Sequence, residues 1–283
     1  MLGIHVSKDG RDMQQALRDD LQEVRAFGVR NPCAQIFVVG PQNYRETLTE
    51  TEKRAVRVLI QEKALTVVIH GSYVDFPWTR KQGAIYNIKR EMRIANQIGA
   101  QGVIVHLGNG AADSATLGDV IARVTDLPRE ITQSVTLWLE INATKASPQT
   151  FETPAKLSAL FESVADANSH GMQIGLCVDT AHLWSCGVSL AYYETAQEWL
   201  DGLPTNIPIM FHLNDSSCVL GSGIDKHELL AQGNIWNPDD IENSGLLAIL
   251  EYIEEHGSMA ILERRSDVRL QDVDLLTSMG YFI

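Results

Sequence analysis

The sequence predicts an α/β protein in which a single (β/α)8 barrel, or TIM barrel, takes up residues 1–283, and three observations lead to this prediction. Eight apolar runs alternate with segments of helical spacing along the chain. Most of these runs are nearly continuous in valine, isoleucine and leucine, which is typical of parallel strands that helices cover. A length of 283 residues is usual for one such barrel.

The predicted elements follow in strict order, each strand before its helix. The first run, LGIHVS, leads into an amphipathic segment, and each later run is followed by apolar residues at helical spacing. The predicted strands are 2–7, 34–39, 66–71, 102–107, 136–141, 175–180, 208–215 and 260–264. The predicted helices are 13–27, 50–62, 81–98, 114–126, 153–169, 190–200, 239–255 and 267–279. Segment 214–238 is too long to be a simple connection.

The composition excludes several classes of protein. Met1 is followed directly by a strand-like run, without the features of a targeting segment. No apolar run approaches the roughly 18–20 residues that cross a bilayer. The four cysteines show no C-x-x-C spacing, so we expect them to be reduced packing residues. These features predict a cytoplasmic protein with no membrane partner, and we expect a monomer.

Side chains that bind metals stand at the carboxyl ends of six successive predicted strands. A single histidine there is usually a structural residue, but six such ends in a row converge on the face where barrel enzymes assemble their sites. A D-x-H pair lies in segment 214–238, and two residues at this spacing in an extended segment project to the same side. The nine candidate ligands are His70, His106, Glu140, Asp179, His182, His212, Asp225, His227 and Glu263.

This set of ligands predicts a polynuclear metal centre. Five imidazoles and four carboxylates suit borderline cations such as zinc and exceed what one tetrahedral ion needs. Glu140, on the central fifth strand, is the natural carboxylate to bridge two ions. In phosphodiester hydrolysis such a centre generates hydroxide, neutralises the nonbridging oxygens and stabilises the leaving alkoxide. No residue then needs to be a covalent nucleophile.

Six strings of the sequence carry a family resemblance. GIHVS, VIHGSY, CVDTAH, FHLNDS, GIDKHE and QGNI resemble, in order and spacing, the signature segments of the endonuclease IV family of apurinic/apyrimidinic (AP) endonucleases. The most specific are C-V-D-T-x-H and H-L-N-D followed by D-K-H. The resemblance implies a (β/α)8 barrel with three zinc ions. It also implies cleavage of double-stranded DNA on the 5′ side of an abasic site, which leaves a 3′-hydroxyl and a 5′-deoxyribose-phosphate end.

The resemblance also assigns the ligands to three zinc ions, with manganese able to replace zinc at one of them. Glu140 would bridge the first two ions, and Glu263 would help to orient the attacking hydroxide. Glu140, Asp179 and Glu263 would be the catalytic carboxylates. The implied ligand sets are His70, His106 and Glu140; Glu140, Asp179, His212 and Glu263; and His182, Asp225 and His227.

Five further residues are expected to contact DNA. Tyr73 matches a family aromatic that enters the DNA stack beside the extruded abasic nucleotide, and Val74 follows it. Because an abasic nucleotide has lost its pairing and stacking, extruding it costs less than extruding an intact one. Arg45, Lys226 and Arg264 are the expected basic contacts.

The chain departs from the usual family pattern near the ligands but not at them. Leu107 replaces a proline, Ile141 separates Glu140 from the following asparagine, and Lys226 replaces an arginine. Ala231 and Gln232 stand where glycine and glutamate are usual. These changes affect DNA-contacting and ligand-supporting positions, so hydrolytic chemistry is expected to be retained.

Two other functions compete with the nuclease. A xylose-isomerase-like sugar isomerase or epimerase would need only the one-metal set on strands 5 to 8, and it has no use for the D-x-H pair. A non-catalytic DNA-binding protein with a vestigial barrel would predict eroded ligands, and none is eroded. The net charge of −13 argues against nucleic acid. Three divalent ions would, however, offset six negative charges at the mouth of the site.

Overall fold

The computed structural model describes residues 1–73, 82–108 and 114–283, with the backbone alone for residue 82 and residues 114–117. Eight strands form a closed barrel in which the order is β1-β10-β7-β6-β5-β4-β3-β2 and the hydrogen-bonded neighbours are parallel. These strands are β1 (Leu2–His5), β2 (Cys33–Ile36), β3 (Val67–His70), β4 (Gly102–His106), β5 (Thr136–Glu140), β6 (Ile174–Asp179), β7 (Ile209–His212) and β10 (Met259–Leu262). A separate antiparallel pair consists of β8 (Asp215–Ser216) and β9 (His227–Glu228).

Helices lie between the strands, which confirms the predicted (β/α)8 barrel. Local capping fixes where several of them begin. The α2 helix, for example, starts with a capping box in which Thr49 and Glu52 bond each other's backbone N–H groups. The helices are α1 (Met13–Ala26), α2 (Glu50–Lys63), α3 (Gln82–Ile98), α4 (Ser114–Thr125), α5 (Arg129–Thr132), α6 (Pro154–Ala167), α7 (Thr180–Cys186), α8 (Tyr193–Asp201), α9 (Gly245–His256) and α10 (Arg269–Ser278).

Trp138 lies in the interior of the barrel, below the ligand-bearing end. Its indole occupies the space beside Gly102 on β4 and Gly175 on β6, where a methyl group would collide with the ring. Glycine at these two positions therefore makes room for the one large side chain. The neighbouring interior residues, among them Val68 and Met210, are buried with it. The closed interior leaves the carboxyl end of the barrel as the place where polar side chains collect.

The structure differs from the predicted elements mainly around segment 214–238. The predicted strand 208–215 ends at His212, and the chain then forms the β8–β9 hairpin, in which Ser216 pairs with His227. A 3-10 helix, Pro238–Asn243, precedes α9. The short helix α7, which we did not predict, follows β6 directly because the Asp179 carboxylate accepts the His182 backbone N–H at 2.9 Å. The β8–β9 hairpin and the α7 helix each hold candidate ligands close to the carboxyl end of the barrel.

Among the described residues, no helix is long and apolar enough to span a membrane.

Candidate metal centre

All nine predicted ligands lie at the carboxyl end of the barrel. Five of them occupy the last positions of their strands, Glu263 directly follows β10, and the other three lie on α7 and on the hairpin segment. The strand-end ligands are His70 on β3, His106 on β4, Glu140 on β5, Asp179 on β6 and His212 on β7. Parallel strands in register thus bring side chains from distant parts of the sequence into one place, as His106↔Glu140 and Asp179↔His212 show.

Glu140 lies at the centre of this group. Its Oε2 atom is 3.1 Å from Nε2 of His70 and 3.0 Å from Nε2 of His106. Its Oε1 atom is 2.9 Å from Nδ1 of His212 and 3.4 Å from Nδ1 of His182. The Glu140 side chain has no solvent exposure. One carboxylate therefore contacts four imidazoles, and its role as a bridge between two metal ions stays a prediction.

The D-x-H pair, Asp225 and His227, lies against the same group of side chains. Nε2 of His227 is 3.1 Å from Oδ1 of Asp225 and 3.6 Å from Oδ2 of Asp179. Nε2 of His182 is 3.4 Å from Oδ2 of Asp225. Because β9 pairs with β8, the hairpin carries this pair back over the barrel from a loop that could otherwise extend into solvent.

Several combinations of these side chains have ligand atoms within 4.8 Å of one another, close enough to hold one ion. The set of four is the one that the family resemblance implied for the second ion, while the sets of three differ from the two other sets that the resemblance implied. The sets are His70, Glu140 and His212; His106, Glu140 and His182; Asp179, His182 and His227; and Glu140, Asp179, His212 and Glu263.

Two buried nitrogen atoms indicate that these residues fit metal ions. Nε2 of His182 and Nε2 of His227 are buried, and although each lies near an Asp225 oxygen, neither makes a well-directed hydrogen bond within the described residues. Nδ1 of His182 lies 2.7 Å from the carbonyl oxygen of Ile141, to which it can donate. Nε2 of His182 is then directed into the centre, as in metal-bound histidines whose other nitrogen is held by a carbonyl. Imidazole and carboxylate ligands together suit zinc or manganese.

The charges of the group shift one another's pKa values. Burial favours the neutral form of His182, but Asp179 and Asp225 outweigh it and raise the pKa of His182 to about 10. Burial likewise opposes ionisation of the carboxylates. The neighbouring imidazoles nevertheless hold the pKa of Glu140 well below its usual value and that of Glu263 at about 2. Metal-free, the centre therefore holds protons on histidines that a metal ion would have to displace.

Two buried amides that we did not predict from the sequence support the ligands. Nε2 of Gln35 donates to Oε1 of Glu263 at 2.7 Å, and Oε1 of Gln35 lies 2.8 Å from Nε2 of His212. Nδ2 of Asn214 donates to Oδ2 of Asp179 at 2.7 Å and to Oε2 of Glu263 at 3.2 Å. Both amides are fully buried. Gln35 could have been recognised from the sequence, because it is a polar residue inside the apolar run AQIFVV.

Gln35 also selects the form of His212 that can bind a metal. An amide oxygen can only accept, so the His212 nitrogen facing it carries the proton. Nδ1 of His212, the atom beside Glu140, is then the nitrogen that would offer its lone pair to a metal ion once the ion displaces its proton. The amide thus fixes the imidazole tautomer and one oxygen of Glu263 at the same time.

Of the expected DNA-contacting residues, Tyr73 lies at the mouth of the centre. The residue is 40% exposed, and its ring stacks on that of His106 with centroids 5.2 Å apart. A cavity of about 310 Å³ opens there, lined by Tyr73, several of the ligands, Asn142 and Ala143. Arg45 and Lys226 are exposed. Val74 lies outside the described residues.

Arg264 does not lie where we expected it. Its side chain is only 4% exposed, and its guanidinium contacts Asp272 and Asn214 rather than facing the solvent. Since residues alternate between the two sides of a strand, Glu263 faces the barrel axis and Arg264 faces the helices. The predicted phosphate contact of Arg264 is therefore corrected to a buried one within the protein.

The structure shows where the residues that depart from the usual family pattern lie. Leu107 and Ile141 are buried apolar residues. Ala231 has a φ of 56°, a left-handed conformation that glycine adopts without the strain a Cβ causes. Gly233 packs so closely on the buried Asp215 carboxylate that a methyl group would collide with it. The hairpin segment thus keeps its tight packing although Ala231 and Gln232 replace the usual residues.

Comparison with known proteins places the chain in a family. Residues 21–264 match the model of AP endonuclease family 2, which is described as a xylose isomerase-like TIM barrel. A probable AP endonuclease of African swine fever virus is 34% identical over 254 residues, 87% of this chain and 83% of the viral protein. The chain belongs to the endonuclease IV family of AP endonucleases. It is thus a member of a family of DNA-repair nucleases, as its sequence motifs indicated.

Further relatives extend this result. A probable endonuclease 4 of Haloarcula marismortui is 28% identical over 72% of this chain and 74% of its own length. The crystal structure of AsfvAP:AG is 28% identical, covers 99% of this chain and 98% of its own, and superposes with a TM-score of 0.87. Endonuclease IV from Thermus thermophilus, at 23% identity over 98% and 97% of the chains, shares the fold with a TM-score of 0.74.

Proposed function

We propose that the protein hydrolyses the phosphodiester on the 5′ side of an abasic site in double-stranded DNA, using three zinc ions. The products would be a 3′-hydroxyl and a 5′-deoxyribose-phosphate end. The observation that carries the proposal is the convergence of nine ligands around Glu140 in a chain of this family. Manganese could replace zinc at one site.

Some of the ligands would only hold metal ions, and others would also face the substrate. When bound, zinc ions neutralise charge on the phosphate and make water a stronger nucleophile near neutral pH. Glu140 and Asp179 have no solvent exposure, so they hold ions without reaching the substrate. The Glu263 side chain is 13% exposed and lines the cavity. Of the three carboxylates Glu140, Asp179 and Glu263, only Glu263 lines the cavity, so we assign to it the orientation of the attacking water, with Gln35 and Asn214 holding its two oxygens.

The cavity supports a substrate that lacks its base. A volume of about 310 Å³ is at the small end of the usual range for ligand cavities, about 300–1,000 Å³. Part of this space would be filled by the zinc ions, and what is left suits an extruded sugar-phosphate better than a complete nucleotide. Tyr73, at the mouth, is 40% exposed, and we propose that its ring stacks on the bases beside the gap. Selectivity would then come from the low cost of extruding an abasic nucleotide.

A sugar isomerase is the second candidate, because the ligand set Glu140, Asp179, His212 and Glu263 would by itself hold one ion. A D-tagatose 3-epimerase-like protein shares the fold, with a TM-score of 0.63 at 16% identity over 98% and 96% of the chains. That site would leave the convergence of His106, His182 and His227 on the same centre without a purpose. The ligand geometry therefore favours the nuclease.

A cleavage assay tests the proposal. A duplex with one abasic-site analogue, labelled at its 5′ end, should be cut immediately 5′ to the analogue, and the matched undamaged duplex should remain intact. The labelled product should carry a 3′-hydroxyl that a polymerase can extend. If fully metal-loaded protein cuts neither duplex but converts a ketose or aldose phosphate, the protein is an isomerase.

A further inference from the structure

The buried Arg264 is joined to the metal centre through Asn214. Nη1 of Arg264 donates to Oδ1 of Asn214 at 2.6 Å, and Nε of Arg264 lies 2.7 Å from Oδ2 of Asp272 on α10. The Asp272 side chain is only 2% exposed. A guanidinium and a carboxylate buried together compensate each other's charge, whereas either one alone would be costly.

The Arg264 contact fixes which way round the Asn214 amide lies. In the observed orientation the Asn214 NH₂ group faces the Asp179 and Glu263 carboxylates, and its oxygen faces the guanidinium. If the amide were reversed, its oxygen would face two carboxylates and its NH₂ group a cation. The positive charge of Arg264 therefore holds the Asn214 donors toward the two ligand oxygens.

Asp272 connects the same network to the hairpin segment. Its Oδ1 atom accepts the backbone N–H of Leu230 at 2.9 Å. Leu230 is three residues after the ligand His227. One carboxylate thus contacts both the Arg264 side chain and the segment that carries the D-x-H pair.

We propose that Arg264 is a positioning residue of the metal centre. Through Asn214 it orients the metal-binding oxygens of Asp179 and Glu263, and through Asp272 it couples them to the segment that holds His227. The inference rests on the proposed metal centre. It gives Arg264 a role in metal affinity in place of the phosphate contact that the sequence suggested.

The chain offers a matched pair of arginines for the test. Arg265 is the next residue, has an 81% exposed side chain and pairs only with the exposed Asp267 within the described residues. Zinc affinity is measured by competition with a chromogenic chelator for the wild type, Arg265→Met and the double variant Arg264→Met/Asp272→Asn. The double variant removes both buried charges together, and its new asparagine side chain keeps an oxygen for the Leu230 N–H. Circular dichroism reports its folding.

Loss of a ligand-orienting partner typically weakens metal binding by about 10–100-fold. We expect a loss of this size in the double variant and none in Arg265→Met. The affinity of zinc-saturated protein for an undamaged duplex, and its salt dependence, should not change in either. If the double variant does not fold, Arg264→Lys replaces it, since lysine keeps the charge but cannot span both partners, and at least about a tenfold loss is expected.

Two results would overturn the inference. Zinc affinity equal to that of the wild type would show that Arg264 does not orient the ligands. Unchanged zinc affinity together with weaker DNA binding and a shallower salt dependence would show a phosphate contact instead. The wild-type measurement separates this inference from the proposed function. If the wild type binds only one zinc ion, the trinuclear site itself is wrong.

Discussion

Replacing Glu140 by glutamine should have the largest effect on the metal centre of any single isosteric change. Glutamine keeps the size of the side chain but replaces one ligand oxygen by an NH₂ group that cannot bind a metal. Glu140 belongs to three of the four ligand sets that the described residues form, and among these only the set of Asp179, His182 and His227 lacks it. We therefore expect Glu140→Gln to lose more than one metal ion per chain.

The expected fall in kcat follows from the number of metal ions that Glu140→Gln disturbs. A metal ion that polarises a phosphoryl oxygen contributes several kcal/mol of transition-state stabilisation. Disturbing two ions should therefore cost at least about 5 kcal/mol, which is a fall of more than about 10³-fold in kcat. DNA binding through residues outside the centre should change less than turnover.

The assay combines elemental analysis with cleavage of an abasic duplex under single-turnover conditions. Glu152→Gln is the matched control, because Glu152 is also a buried glutamate but pairs with Lys156 and Thr150. It should keep the wild-type metal content and rate. A Glu140→Gln protein with its full metal content and a rate within about tenfold of the wild type would refute the bridging role.

Three further predictions concern other parts of the centre. His227→Ala should lose about one metal ion and most of its turnover while keeping DNA affinity, and full metal content with normal turnover would contradict this. Tyr73→Ala should weaken binding to the abasic duplex by about 10–100-fold, because stacking on one base contributes about 1–3 kcal/mol, and the chemical step should change little. Tyr73→Phe should retain binding, and an equal loss of binding in both variants would exclude stacking. In metal-free protein, the raised pKa of His182 contributes stability that is complete below pH 6.5 and is lost as pH rises toward about 10. The melting temperature of metal-free protein should therefore fall across that range, whereas that of zinc-loaded protein should not, and a rise in the metal-free protein would contradict the assignment.

The fold, and the places of the six candidate ligands at strand ends, could be predicted from the sequence because the same local pattern marks both. Each run of valine, isoleucine and leucine fixed a strand, and the first polar residue after it fixed a position at the carboxyl end of the barrel. Parallel strands in register then brought those positions together. His70, His106, Glu140 and His212 needed no other information.

The supporting residues could not be found in this way. Gln35 and Asn214 are neutral amides, and their role depends on which carboxylate and which imidazole they face across the barrel. Arg264 was assigned to the DNA-facing side because it follows a ligand, but strand alternation turns it toward the helices. Its partners Asn214 and Asp272 are 58 positions apart in the sequence, and only the folded structure brings both to the same guanidinium.

Elemental analysis of the purified wild-type protein tests the central claim most directly, because a polynuclear centre distinguishes the nuclease from an isomerase that uses one ion. Nine converging ligands predict about three metal ions per chain, mainly zinc. A well-loaded preparation that holds a single metal ion per chain would contradict the account.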